Sequence, residues 1–185
     1  NGADDYYLKE SPLFHFSKEE SKENAKHLVK TIGYCYRRNY LRKSYKLVEE
    51  IKENINASPR LNENNKKETI AQLDMAFHQL LKITGTNNKN SFAYTFVAFE
   101  FVIPLLCKHL SAVGSNTPEK FEDLINTQLA TSNTELIYDG KQMILARNAY
   151  MHGNKTALKS NFSFVFHAEG ILKILEVLDK VSQLL

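Results

Sequence analysis

The stretch that decides the fold is Phe92-Ala93-Tyr94-Thr95-Phe96-Val97-Ala98-Phe99-Glu100-Phe101-Val102-Ile103-Pro104-Leu105-Leu106-Cys107-Lys108-His109-Leu110. Phe92, Phe96, Phe99, Ile103, Leu106 and Leu110 recur in steps of four and three, the spacing that stacks side chains on one face of an α-helix. Phe101, Val102 and Leu105 fill a second side, so this helix is expected to be central and nearly buried. Glu100 and Pro104 interrupt the apolar run, which makes it too short and too broken to cross a bilayer; it reads as a core helix kinked at Pro104.

Outward from this element, helical spacing continues. Upstream, Ile70, Leu73, Phe77 and Leu80 form the stripe of a helix that ends at Gly85 and Asn87–Asn88. The Pro- and Asn-bearing segment 56–65 is an exposed loop. Before it, Leu41, Val48, Ile51 and Ile55 mark a helix running from beyond Gly33 to about Ile55. An earlier helix starts with Ser17 and Glu20, spaced to satisfy each other's orphan backbone donors, and runs to about Thr31. Residues 1–16 show no period and form an N-terminal arm.

Downstream, Thr117-Pro118-Glu119 combines a capping hydroxyl, a first-turn proline and an acid at the positive end of the helix dipole. Phe121, Leu124, Ile125 and Leu129 are the buried stripe of that short helix. The next helix spans Asn133–Thr134 to about Met151, with Gly153 placed to end it in the left-handed conformation. Phe162, Phe164 and Phe166 alternate in a short extended piece. Ile171, Ile174, Leu175, Leu178, Val181 and Leu185 define the last helix. The expected fold is all-α: one antiparallel bundle of six to seven helices over residues 17–185.

Composition agrees with a packed domain: 185 residues, 43% apolar, seven glycines and four prolines. Cys35 and Cys107 lie far apart and form neither a disulfide framework nor a metal clip, so an intracellular, reducing compartment is expected. Cys107-Lys108-His109 has no second ligand pair at a usable spacing, and His15, His27, His78 and His167 are isolated; no metal and no cofactor is expected. Asp74 and His78, four apart, suggest a local hydrogen bond. No Gly-rich phosphate loop, Gly-x-Ser-x-Gly elbow or His-Glu-x-x-His occurs, which removes nucleotide hydrolysis, serine-hydrolase and zinc-protease readings. The chain begins at Asn1, not Met, which points to a processed chain or, in preference, to a piece of a longer parent whose other domains would be partners.

The net charge of +3 says little, but its distribution says more. Lys30, Arg37, Arg38, Arg42, Lys43 and Lys46 follow one another with no acid between them, interleaved with Tyr34, Tyr36, Tyr40 and Tyr45. Arg37, Arg38, Arg42 and Lys43 are candidates for an RNA backbone, with tyrosines to stack on unpaired bases. The plainer account is a solvated helix face whose tyrosines pack on the core.

At the end of the sixth helix stands Arg147-Asn148-Ala149-Tyr150-Met151-His152-Gly153. This resembles the signature of the HEPN family: Arg, a polar residue that is often Asn, three residues, then His. A bundle precedes the motif and one more helix follows it, and the resemblance is strongest over residues 64–185. It implies a HEPN-like bundle that works as a homodimer on RNA without a metal; from the interrupted apolar run, no membrane partner is expected. Such modules occur in phage-exclusion and toxin systems and in a nuclear RNA-surveillance endonuclease.

The implied reaction is attack of a ribose 2′-hydroxyl on the adjacent phosphorus, leaving a cyclic phosphate and a 5′-hydroxyl. It needs a group near neutral pKa to move protons, which an imidazole supplies unaided. It also needs fixed donors for charge on the phosphoryl oxygens, which suits a guanidinium. His152 and Arg147 match those roles, with Asn148, four residues before His152, in support. Residues five apart on a helix point about 140° from one another at ~100° per residue. The two side chains therefore meet at one phosphate only if the helix unwinds at His152 or if a second copy supplies one of them. The family also contains catalytically inactive members that dimerise or dock RNA and partners for a larger protein. A plain helical scaffold would use the same residues otherwise: His152 to answer the helix dipole and Arg147 as an ion-pair partner.

Overall fold

A computed structural model describes residues 18–82, 89–109, 117–156, 165 and 167–185. The N-terminal arm, Ser17, Gly85, Asn87–Asn88 and the alternating Phe162, Phe164 and Phe166 lie outside the described residues. Contacts divide the chain into two compact units, Asn1–Asn39 and Tyr40–Leu185. The described residues form seven α-helices and one π-helical turn, with no strand among them: α1 Lys18–Ala57, α2 Glu63–Lys82, α3 Lys89–Glu100, α4 Val102–His109, α5 Pro118–Asp123 running into the π turn Leu124–Gln128, α6 Thr134–Met151 and α7 Ala168–Gln183.

The exposed loop expected over 56–65 is shorter, 58–62 between α1 and α2, and Ser58 and Leu61 within it are buried. Two further boundaries differ from the sequence reading, in opposite directions. The helix break expected at Gly33 is absent, and α1 continues through it. An interior glycine costs a helix only ~1 kcal/mol against alanine, and no proline stands nearby to enforce a stop. The kink expected at Pro104 is instead a break, at Phe101, between α3 and α4. Proline has no N–H to give the carbonyl four residues back, and its ring crowds that carbonyl, here that of Glu100. The break thus falls one turn before the residue that causes it. Phe101 still donates its N–H to the Val97 carbonyl at 3.1 Å, so helical register holds up to that point.

In the larger unit α3 is the hub, packing on α2, α4, α6 and α7. Phe92, Phe96, Phe99, Ile103 and Leu106 are buried as their spacing predicts. Each fully buried phenylalanine or leucine of this kind is worth roughly 1.5–3 kcal/mol. The second side is less covered than expected: Val102 is buried, Leu105 is half-buried and Phe101 is 37% exposed. By length and composition the run Ser91–His109 is apolar enough to cross a membrane, more than the sequence reading allowed, but 61% of it is buried inside the protein.

The remaining elements follow their signals. On α1, Leu41, Val48, Ile51 and Ile55 are buried. On α2, Leu73 and Leu80 are buried, and Ile70 and Phe77 pack half-buried against the core. Thr117 caps α5 by accepting from the Lys120 N–H at 3.3 Å, with Pro118 at the first position. Phe121, Leu124, Ile125 and Leu129 are all buried. Asn133 caps α6, accepting from the Leu136 N–H at 3.0 Å. Phe121 lies so close to α6 that a Cβ on Gly140 would stand 2.1 Å from its ring. Asn54 ties α1 to α7 through Ser182 at 2.9 Å. Asp74 is drawn to Lys52 on α1, 2.8 Å away, and not to His78, which is exposed.

Candidate functional site

Helix α6 carries the Arg147…His152 motif from the middle of the bundle to its surface. Arg147 is buried, and its Nε donates to Glu100 Oε2 at 3.0 Å. The guanidinium carbon lies 5.3 Å from the centroid of the Phe101 ring. Glu100 is wholly enclosed at the end of α3. Its Oε1 and the Arg147 Nη2 are both sealed from solvent without a hydrogen-bond partner. Burial pushes the Glu100 carboxyl up to about 7, against the downward pull of the guanidinium beside it. With Nε bonded and Nη2 enclosed, a ligand can meet only Nη1. The ion-pair role weighed for Arg147 is therefore real, but it lies in the core and not on the surface.

Five residues on, the setting is reversed. His152 is exposed. Its N–H still donates to the Asn148 carbonyl at 3.0 Å, so the helix has not unwound where the imidazole leaves it. Gly153 then takes φ of +66°, the left-handed stop its position predicts. The Gly153 N–H reaches the Tyr150 carbonyl at 3.1 Å and the Asn154 N–H reaches the Ala149 carbonyl at 2.8 Å. These two bonds make a complete Schellman closure. Asn148 is half-buried one turn before His152. Within one chain, then, Arg147 points inward and His152 outward, and the structure does not bring them together.

Tyr150, inside the motif, meets Tyr94 of α3 edge to face, with centroids 6.0 Å apart. Burial, and then Tyr94, raise its phenol above the ordinary value. Glu100 and Tyr94 thus hold the motif helix from behind, and neither was singled out from sequence. A lone acid in an otherwise apolar run is the signal that could have found Glu100, since a buried carboxylate needs a cation.

The basic run serves more than one purpose. Arg37, half-buried, and Arg38, exposed, belong to the first unit; Arg42 and Lys43, both exposed, belong to the second. Lys46 pairs with Glu50 at 2.9 Å. The side chains of Tyr34 and Tyr36 lie outside those described. Tyr40 and Tyr45 pack against the core, and Tyr45 meets Phe77 edge to face at 5.7 Å. Those two tyrosines act as packing residues, as the plainer account held.

No group of three or more His, Cys, Asp or Glu is placed to hold a metal among the described residues. Cys107 is buried and its thiol is pushed up to about 12 by that burial, which removes it as a nucleophile. His109 Nε2 stands 3.1 Å from Glu68 Oε2 without hydrogen-bond geometry. No family profile, curated protein or solved structure matches the chain.

Proposed function

We propose that this chain is a metal-independent, HEPN-type endoribonuclease module that cleaves single-stranded RNA as an intracellular homodimer. The observation that carries the reading is the division of the motif across a rigid helix end. One guanidinium is fixed from behind by a carboxylate and a ring, and one imidazole is presented to solvent by a closed backbone turn. A donor held in place before charge develops costs no reorganisation during the reaction. Because α6 runs regularly to Met151 and the His152 N–H still bonds to the Asn148 carbonyl, one copy cannot direct both groups at one phosphate, and the second copy supplies the missing member.

In this scheme a neutral His152 takes the proton of the 2′-hydroxyl as its oxygen attacks phosphorus. The bond to the 5′-oxygen breaks, and that oxygen receives a proton from the protonated His152 of the second copy. Arg147 Nη1 meets the charge on a phosphoryl oxygen. Asn148 supports the imidazole or a second oxygen. The test is incubation of the purified protein with single-stranded RNA in EDTA. Cleavage to cyclic-phosphate ends, lost in His152→Ala with helix content unchanged, is the expected result. A dimer that leaves varied RNAs intact, or cleavage indifferent to His152→Ala, ends the proposal.

The burial of Arg147 favours a second reading. A guanidinium so enclosed locks α3 to α6 and serves stability alone. The module would then be a catalytically silent relative that dimerises or docks RNA and partners for a longer chain. In that case His152→Ala leaves the parent protein's function unchanged, whereas disrupting the helix surface abolishes it.

A further inference from the structure

Outside the motif, two clefts open in succession between α2 and the α3–α4 run. The first, about 470 Å³, has Gln79 and Lys82 of α2 facing Ser91 and Tyr94 of α3. The second, about 510 Å³, has Glu68, Gln72 and Met75 of α2 facing Phe101 and Leu105. Tyr94 and Ala98 of α3 and Phe101 just beyond its end are spaced by four and three, and the Phe101 N–H bond to the Val97 carbonyl keeps the register, so they form one stripe that links the two clefts. Tyr94 is 65% exposed and Phe101 37%, both unusual for aromatic rings on the hub of a bundle. Each ring is backed by a motif residue of α6: Tyr150 stands edge-on to Tyr94, and the Arg147 guanidinium lies against Phe101.

We propose that this groove is a track for single-stranded RNA, with Tyr94 and Phe101 as two base-stacking stations. Every base offers a π-face, so an exposed ring in a groove is a sequence-tolerant platform. Seven helical residues separate the rings by about 10 Å along the axis. That is too far for neighbouring stacked bases at ~3.4 Å and fits a strand whose bases are splayed apart. Gln72, Gln79 and Ser91 offer amide and hydroxyl groups to base edges. Lys82, which lines the first cleft, supplies positive charge for a phosphate beside the Tyr94 station. The one acid lining the clefts, Glu68, stands beside His109. An apolar peptide would use Met75, Phe101 and Leu105 but would leave the amides and Lys82 without a role.

The track rests on the RNA reading above for its polymer, but it does not require cleavage. The test is fluorescence anisotropy with the whole chain and a labelled 2′-O-methyl single-stranded RNA, which cannot be cut by attack of its own 2′-oxygen. Tyr94→Ala and Phe101→Ala should each weaken binding about tenfold, with Tyr94→Phe near wild type and Lys173→Ala, at an exposed residue that lines neither cleft, unchanged. A nucleoside monophosphate should bind far more weakly, because it engages one station only. Affinity unaffected by either alanine substitution overturns the track, even where RNA binds elsewhere on the protein. A monophosphate bound as tightly as the oligonucleotide overturns it in favour of a single nucleotide pocket. Wild type with no RNA affinity at low salt overturns both proposals. Ring-dependent binding with no cleavage of ordinary RNA supports the track and removes only the nuclease.

Discussion

Arg147 and His152 stand on the same helix five residues apart and occupy opposite environments. The first is enclosed with a carboxylate and a ring, and the second is in solvent at a turn closed by backbone hydrogen bonds. A short motif can therefore mix two kinds of residue. One is fixed by the core and changes stability when altered. The other is held at the surface by a main-chain turn and leaves the packed interior untouched when altered. Spacing in sequence does not separate the two, because a helix turns a side chain from core to surface within half a turn.

Four substitutions or conditions probe that contrast. The largest effect belongs to the core side. Glu100→Ala leaves a buried guanidinium without its partner and should cost about 3–5 kcal/mol of unfolding free energy in a urea titration. Replacing both partners together by apolar residues should recover most of that loss. If Glu100→Ala costs under about 1 kcal/mol, Arg147 is reaching solvent and the contrast is false.

Next comes pH. The Glu100 carboxyl sits at about 7 in the folded protein, above its ordinary 4.5. A raised folded value means that the folded form holds the proton more tightly. The contribution of this group is therefore complete below pH 4.5 and lost as pH rises to about 7. Across that window the loss is on the order of 3 kcal/mol. Denaturation of wild type against Glu100→Gln across the window should show the fall in the first and its absence in the second.

A smaller effect is expected at the turn. Gly153→Ala forces a side chain into positive φ and should cost ~1 kcal/mol while shifting His152. The smallest is His152→Ala, which should change stability by under about 0.5 kcal/mol because the side chain is exposed. On the nuclease reading the same substitution abolishes RNA cleavage. A large stability loss there, with cleavage intact, would reverse the assignment of the two residues.

Much of the fold was legible because it is written in periodicity and caps. The stripe Phe92–Leu106, the caps Thr117 and Asn133 and the stop at Gly153 each rest on local chemistry that tertiary packing did not override. Gly33 misled because glycine only weakens a helix, whereas Pro104 was informative because proline forbids a specific hydrogen bond. The candidate site was legible only as residue types. That Arg147 faces inward depends on which side of α6 meets α3, a tertiary fact. Its partner lies 47 positions earlier, beyond any local pattern. The tyrosines of the basic run looked like stacking groups, yet Tyr40 and Tyr45 turned to the core because a half-buried helix face uses large rings to fill space.

The Schellman closure has a consequence of its own. Since main-chain bonds at Gly153 and Asn154 close the turn from which the imidazole emerges, its aim can be retuned at position 153, where nothing lies within 4 Å of an added Cβ. Divergent copies of such a module could thus trade one reach for another while keeping an identical interior, which separates the inheritance of the scaffold from the inheritance of its chemistry.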